Sequence, residues 1–164
     1  MMEQKKINRL SREDLQYIAG FIDGNSSIIA QIVKSAEYKY GHTIRVSVVL
    51  YQKTRRYWFL KQMQKAIGGH LRKKKDGMSD LTITGFQPVK ILLSLLKPFL
   101  RIKKPQAREV LEIIDEYENR ESKASFLKVC QKVDKTADLN DSKKRKHTYS
   151  SVIQHLNCPV ETEK

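Results

Sequence analysis

The chain has 164 residues and carries 32 Lys and Arg against 18 Asp and Glu, a formal charge of +14 at pH 7. That length suits one domain burying roughly 68–70% of its unfolded surface, and the excess of base suits a polyanionic partner. Cys130 and Cys158 lie far apart with no C-x-x-C pair, which argues against a disulfide scaffold or a thiolate zinc site. No apolar run approaches the ~20 residues of a membrane span.

Residues 1–10 read as a flexible basic arm. Ser11, with Asp14 three residues on, is a plausible capping box for an amphipathic helix that runs to about Gly24. Residues 27–35 then alternate. Ile28, Ala30 and Ile32 share one face; Ile29, Gln31, Val33 and Ser35 share the other. Residues 43–51 alternate too, with Ile44, Val46, Val48 and Leu50 inward and Thr43, Arg45, Ser47, Val49 and Tyr51 outward. Two strands of a half-buried sheet joined by a turn over 36–42 follow from this period. The spacing predicts a helix over 54–67 that stops at Gly68-Gly69. A second hairpin is expected from residues 70–75 and 79–84 around Asp76-Gly77. Pro88 fits the first turn of a helix carrying Ile91, Leu92, Leu95 and Leu96. The order to this point is αββαββα, an α+β unit.

Further helices are predicted over 104–119, 122–134 and 148–156. In the second of these, Phe126, Val129, Cys130 and Val133 form a core stripe. One domain over 11–156 and a frayed tail over 157–164 complete the organisation. The basic run 143–146 reads as a nucleic-acid patch or a localisation signal, or else as a solvated loop or helix end. The four histidines, His42, His70, His147 and His155, are scattered without metal-ligand spacing and read as surface or structural residues. The basic residues interleave with the strands and do not decorate one amphipathic helix, which argues against a membrane partner.

The first helix ends in the run Y-I-A-G-F-I-D-G-N-S-S, residues 17–27. Gly20 and Gly24 stand one turn apart and clear a stripe for close helix approach, either to a second copy or to a helix of the same chain. Asp23 and Asn25 lie at the C-terminal end, where the helix dipole disfavours a carboxylate. Asp23 therefore needs another reason to be there, such as a bound cation. On the outward sheet face, Gln31, Ser35, Tyr38, Thr43, Arg45, Arg72 and Lys74 offer donors and acceptors, and Ile29, Val33 and Val49 offer apolar contacts. That set suits base edges and thymine methyls in the DNA major groove. The phase of 70–75 is open, and Lys73 with Lys75 is the alternative outward pair.

Residues 18–26, I-A-G-F-I-D-G-N-S, resemble the signature of the LAGLIDADG homing endonucleases. Residues 51–60 and 98–107 resemble further segments of the single-motif, homodimeric members encoded in organellar rRNA introns, and the resemblance runs from about residue 11 to about 141. It implies a site-specific endonuclease that hydrolyses double-stranded DNA at a long pseudo-palindromic site, using Mg²⁺ or another divalent cation such as Ca²⁺ or Mn²⁺. It implies a homodimer with Ala19, Gly20, Asp23 and Gly24 in the interface, a cation held by Asn25 with the Gly24 carbonyl, and a surrounding catalytic pocket of Gln52, Arg56 and Lys103. Ser47 and Thr82 join the DNA face, Asp80 orients its basic side chains, and the compartment is chloroplast or mitochondrion.

One departure bears on catalysis. Where the family has an acidic residue followed by Gly, this chain has Asn25 and Ser26. Asn offers a cation a neutral oxygen and no charge, so cleavage is expected to be impaired while DNA binding survives. The alternatives are a non-enzymatic binder on the same fold, either an intron-RNA maturase or a repressor.

Overall fold

The computed structural model describes residues 7, 9–140 and 145–157. The rest of the expected arm and tail, with Cys158, Lys143 and Lys144, lies outside the described residues. Of the arm, Ile7 is buried and Leu10 packs against the core.

Helix α1 (Arg12–Asn25) starts at the predicted box. The Asp14 amide donates to Ser11 Oγ and the Ser11 amide to the Asp14 carboxylate, both at 3.1 Å. The helix turns Ile18, Ala19 and Ile22 inward. Strands β1 (Ser26–Lys34) and β2 (His42–Lys53) form an antiparallel hairpin in which Ile28 faces Val48, Ala30 faces Val46 and Ile32 faces Ile44. A 3₁₀ turn (Thr54–Arg56) leads into α2 (Tyr57–Ile67), so the first turn of the predicted 54–67 helix is wound more tightly than the rest. Strands β3 (His70–Lys73) and β4 (Met78–Thr84) form the second hairpin. The sheet order is β1-β2-β4-β3, antiparallel throughout. Helices α3 (Phe86–Leu96), α4 (Lys104–Glu118), α5 (Lys123–Lys135) and α6 (Tyr149–Asn157) follow, with a second 3₁₀ turn (Thr136–Leu139) after α5.

The helices pack their apolar stripes on one sheet face, and of the outward residues Thr43 meets Tyr117 of α4. Ile28, Ala30, Ile32, Ile44, Val46, Val48, Leu50, Leu81 and Ile83 make a continuous core with the inward stripes of α1, α3, α4 and α5. In α3 that stripe is Val89, Leu92, Leu93 and Leu96; the expected Ile91 and Leu95 are only half-buried. The helix begins at Phe86, and the i, i+3, i+4, i+7 set counted from Val89 gathers the bulkier apolar side. The α5 stripe is the predicted Phe126, Val129, Cys130 and Val133, and burial pushes the Cys130 thiol up to about 12. No helix among the described residues is long and apolar enough to cross a membrane.

The α2–β3 junction depends on glycine. Gly69 has φ +97°, and a Cβ there would lie 2.8 Å from the Thr82 carbonyl oxygen. Gly69→Ala is expected to lower the unfolding free energy by about 3 kcal/mol, read as a fall in the urea midpoint at unchanged m-value.

Candidate functional site

The uncovered sheet face gathers the outward residues in rows set by strand pairing. Gln31 stands opposite Arg45, Val33 opposite Thr43, and Ile29 opposite Ser47 and then Thr84. The next rows are Ser27–Val49–Thr82–His70 and Tyr51–Asp80–Arg72. Ile29, Gln31, Val33, Thr43, Arg45, Val49, Thr82 and Arg72 thus share one open surface. Two expected members differ in reach. Ser47 points to this face but is buried, because a short side chain sinks between longer neighbours. Thr43 spends its hydroxyl on the Tyr117 hydroxyl at 2.8 Å. Ser35 and Tyr38 sit at the tip of the first hairpin, where the Ser35 amide donates to the Gly41 carbonyl and Tyr38 is 46% exposed.

The phase of residues 70–75 is settled by a buried carboxylate. Asp80 is 1% exposed. It accepts from Arg72 Nη2 at 2.8 Å and Nε at 3.3 Å, with Lys74 Nζ at 3.3 Å from the same oxygen. Arg72 and Lys74 are therefore the outward pair. Lys73 turns away, its ammonium 4.6 Å from the centroid of the Tyr57 ring. Burial acts to raise the Asp80 carboxyl, but hydrogen bonds and charge from Arg72 and Lys74 outweigh it and hold it below the ordinary range. Asp80 thus holds both basic side chains over its own carboxylate.

Hydrogen bonds from the end of α1 reach the segments that carry the predicted catalytic residues. The Asn25 amide donates from Nδ2 to the Tyr51 carbonyl at 2.6 Å, one residue before Gln52. Gln52 Oε1 accepts from the Lys53 amide at 2.9 Å and from Arg56 Nη1 at 3.0 Å, so Gln52 holds Arg56 and does not cap α2. The Asp23 carboxylate accepts from the Arg101 amide at 2.8 Å and the Lys103 amide at 2.9 Å. Lys103 has no side-chain cap of its own to offer α4, so α1 delivers one across the structure. A carboxylate poorly placed for its own helix dipole is well placed for the start of another. Of the reasons the sequence allows for the Asp23 carboxylate here, a cation or a bracing role, the bonds within the chain supply the second. Its expected interface role now sits beside a bond within the chain.

Ala19 is fully buried in the chain's own core. It is not available to a second copy, because α1 turns positions 18, 19 and 22 inward. Gly20 and Gly24 are exposed, and among the described residues a Cβ at either meets nothing within 4 Å. No described helix of the same chain packs on the glycine stripe.

Lys103 lines a cleft of about 620 Å³ with Ser27, Gln31, Tyr51, Gln106 and Arg145. Sequence reasoning passed over the last two. Gln106 Nε2 donates to the Leu139 carbonyl at 2.6 Å, and its Oε1 is buried with no partner among the described residues. Arg145 donates to the Ala30 carbonyl and to Thr136 Oγ1. It was visible only as part of the basic run, and its role here is structural. Among the described residues no three His, Cys, Asp or Glu side chains are grouped to hold a metal ion. At the motif end one chain offers a cation the neutral Asn25 oxygen and the Gly24 carbonyl, since Asp23 is engaged elsewhere. These residues fit a divalent cation poorly.

Asp80→Asn removes the charge but keeps the shape, and is expected to lower stability at pH 7 by about 1–2 kcal/mol, a discounted figure because Arg72 is largely exposed. Because the Asp80 carboxyl is held low, its contribution is present above the ordinary carboxylate pKa of about 4 and is lost as pH falls below it. The two proteins should therefore converge in urea titrations at strongly acid pH.

The model of the family described as LAGLIDADG endonuclease matches residues 18–107. The chain is 40% identical over 157 residues to DNA endonuclease I-CreI of Chlamydomonas reinhardtii, covering 95% of this chain and 96% of that protein. It is 36% identical over 130 residues to DNA endonuclease I-CvuI of Chlorella vulgaris, covering 79% and 81%. A crystal structure of the homing endonuclease I-CvuI with the I-CreI target in the presence of Mg, its DNA uncleaved, matches with a TM-score of 0.83 at 33% identity, over 88% of this chain and 93% of that one. Motif helix, sheet and relatives agree along most of the sequence: the chain belongs to the LAGLIDADG endonuclease family.

Proposed function

We propose that this chain is a site-specific homing endonuclease for double-stranded DNA, acting as a homodimer, whose cleavage is impaired by Asn25. The observation that carries the DNA reading is the open antiparallel face, where Gln31 with Arg45 and Arg72 with Lys74 stand beside Ile29, Val33 and Val49. A twisted sheet of this kind fits the major groove, where Gln suits adenine and Arg suits guanine. Arg56, steadied by Gln52, and Lys103, set by Asp23, would supply positive charge to phosphates near the end of α1. A divalent cation, Mg²⁺ or alternatively Ca²⁺ or Mn²⁺, would activate water and balance developing charge. Asn25 and Gly24 are the residues that would hold it, without a net negative charge.

Homodimerisation is supported by the exposed Gly20 and Gly24 and by large apolar side chains left exposed on the chain. Tyr17 is 64% exposed, Trp58 59% and Ile102 70%. A two-fold partner meeting the glycine stripe would set two motif ends side by side. The algal sources of both relatives support an organellar origin. The repressor reading keeps one observation in its favour: Asn25 is satisfied within the chain by the Tyr51 carbonyl. An aspartate in the same rotamer would set oxygen against oxygen and need a cation or a rotation. The maturase reading draws nothing from relatives named as DNA endonucleases.

The deciding comparison is cleavage of a randomised duplex library in Mg²⁺ by this chain, by Asn25→Asp and by Asn25→Asp/Ser26→Gly. The restored proteins are expected to cut at least roughly 100-fold faster at similar binding. Equal cutting by all three removes the impairment, and failure of all three to bind any duplex removes the function. Gly20→Leu places its side chain in open space in a single chain. It should convert a sedimenting dimer into a monomer with unchanged circular dichroism; an unchanged sedimentation coefficient argues against the glycine interface.

A further inference from the structure

Three of the four histidines converge away from the DNA face. His42 opens β2, His147 precedes α6, and His155 lies on α6. The His42 ring centroid is 5.2 Å from that of His155 and 5.8 Å from that of His147, with the rings edge to face at 79° and 70°. His42 is 3% exposed, and its Nδ1 lies 3.4 Å from the Tyr40 carbonyl. His155 Nε2 fills the space where a Cβ at Gly41 would stand, and Gly41 has φ +66°, so glycine suits the position on both counts. The helix docked this way is short. Val152 is its one fully buried residue, Tyr149 and Leu156 pack partly against the core, and the Tyr149 amide donates to Asp134 at 2.8 Å.

The surroundings of this cluster offer little to an imidazolium. His155, His147 and Lys34, which pairs with His42 across the hairpin, all act against charge on His42. Lys39 from the turn and Arg120 and Glu121 from the end of α4 line the neighbouring cavity. Asp134 on α5 is taken by the Tyr149 amide. Among the described residues no carboxylate bonds any of the three rings.

We propose that His42 is the proton-sensitive catch of a clasp: beneath the His147 and His155 rings its neutral imidazole lets α6 lie against the first hairpin, and its protonation sets the helix free. Burial first, then the neighbouring bases, keep His42 below its ordinary value of 6.5. The undocked state therefore takes up protons more readily than the docked one. Docking is complete above that ordinary value and weakens as pH falls through it. The fold of the sheet core does not depend on the clasp, and neither does the DNA reading.

Hydrogen exchange of the full chain without DNA, in EDTA buffers from pH 7.5 to 5.5, tests it. Protection factors for amides 152–157 should fall several-fold, up to about tenfold, across that range, the most that one imidazole of ordinary value 6.5 contributes there. Protection in β2 and β4 should hold. In His42→Gln, and in His42→Phe, which keeps a ring of similar width, most of that pH dependence should vanish. The clasp is overturned if α6 protection follows that of the sheet at every pH, or if either variant, folded by circular dichroism, keeps the full pH dependence.

Discussion

β1 pairs with β2 along its whole length, from Ser26 opposite Leu50 to Lys34 opposite His42, and β4 pairs with the other side of β2 from Ser47 to Lys53. Because side chains alternate with a period of two, a slip of one residue in β2 would send Ile44, Val46, Val48 and Leu50 to solvent and Arg45 into the core. The buried face thus holds the open face in place. No functional residue on the sheet needs its own device to be outward. The exception is the short β3, whose single half-buried apolar residue, Leu71, cannot anchor it. There Asp80 does the work by drawing Arg72 and Lys74 over itself.

Helix α1 joins the remaining parts. Its inner stripe belongs to the core, its outer glycines are bare, and its end reaches two other segments. Asp23 caps the start of α4, and Asn25 ties to the strand end that carries Gln52. The catalytic candidates come from three distant stretches of chain. Asn25 lies on that helix terminus, which bonds the backbone of Tyr51 and of Lys103, while Arg56 is held by Gln52.

Much of this was legible beforehand for local reasons. Alternation over residues 27–33 and 43–50, the Ser11–Asp14 box and the Gly68-Gly69 stop are all properties of near neighbours. The α5 stripe is another. The misread positions depend on distant partners. Ala19 and Gly20 are both small, and only packing shows that one faces in and the other out. Asp23 finds its donors 78 and 80 residues away. The phase of 70–75 needed a carboxylate on another strand, because its own pattern is nearly all polar. The histidines looked scattered because the segments that carry them meet only in three dimensions. The family resemblance supplied roles for Gln52, Arg56 and Lys103 that spacing alone would not have suggested.

The sheet has two edges, and each is guarded differently. An unpaired edge invites strand addition from another molecule. On β1, Arg145 donates to the outward Ala30 carbonyl and the 3₁₀ turn closes alongside, so part of that edge is occupied. On β3 the guard is brevity and charge, four residues of which two are basic, followed by Lys74 and Lys75. Charge gathered for a polyanion therefore has a second use whenever that polyanion is absent. It repels like edges of neighbouring molecules and keeps free protein from growing into a shared sheet during a long search for one site.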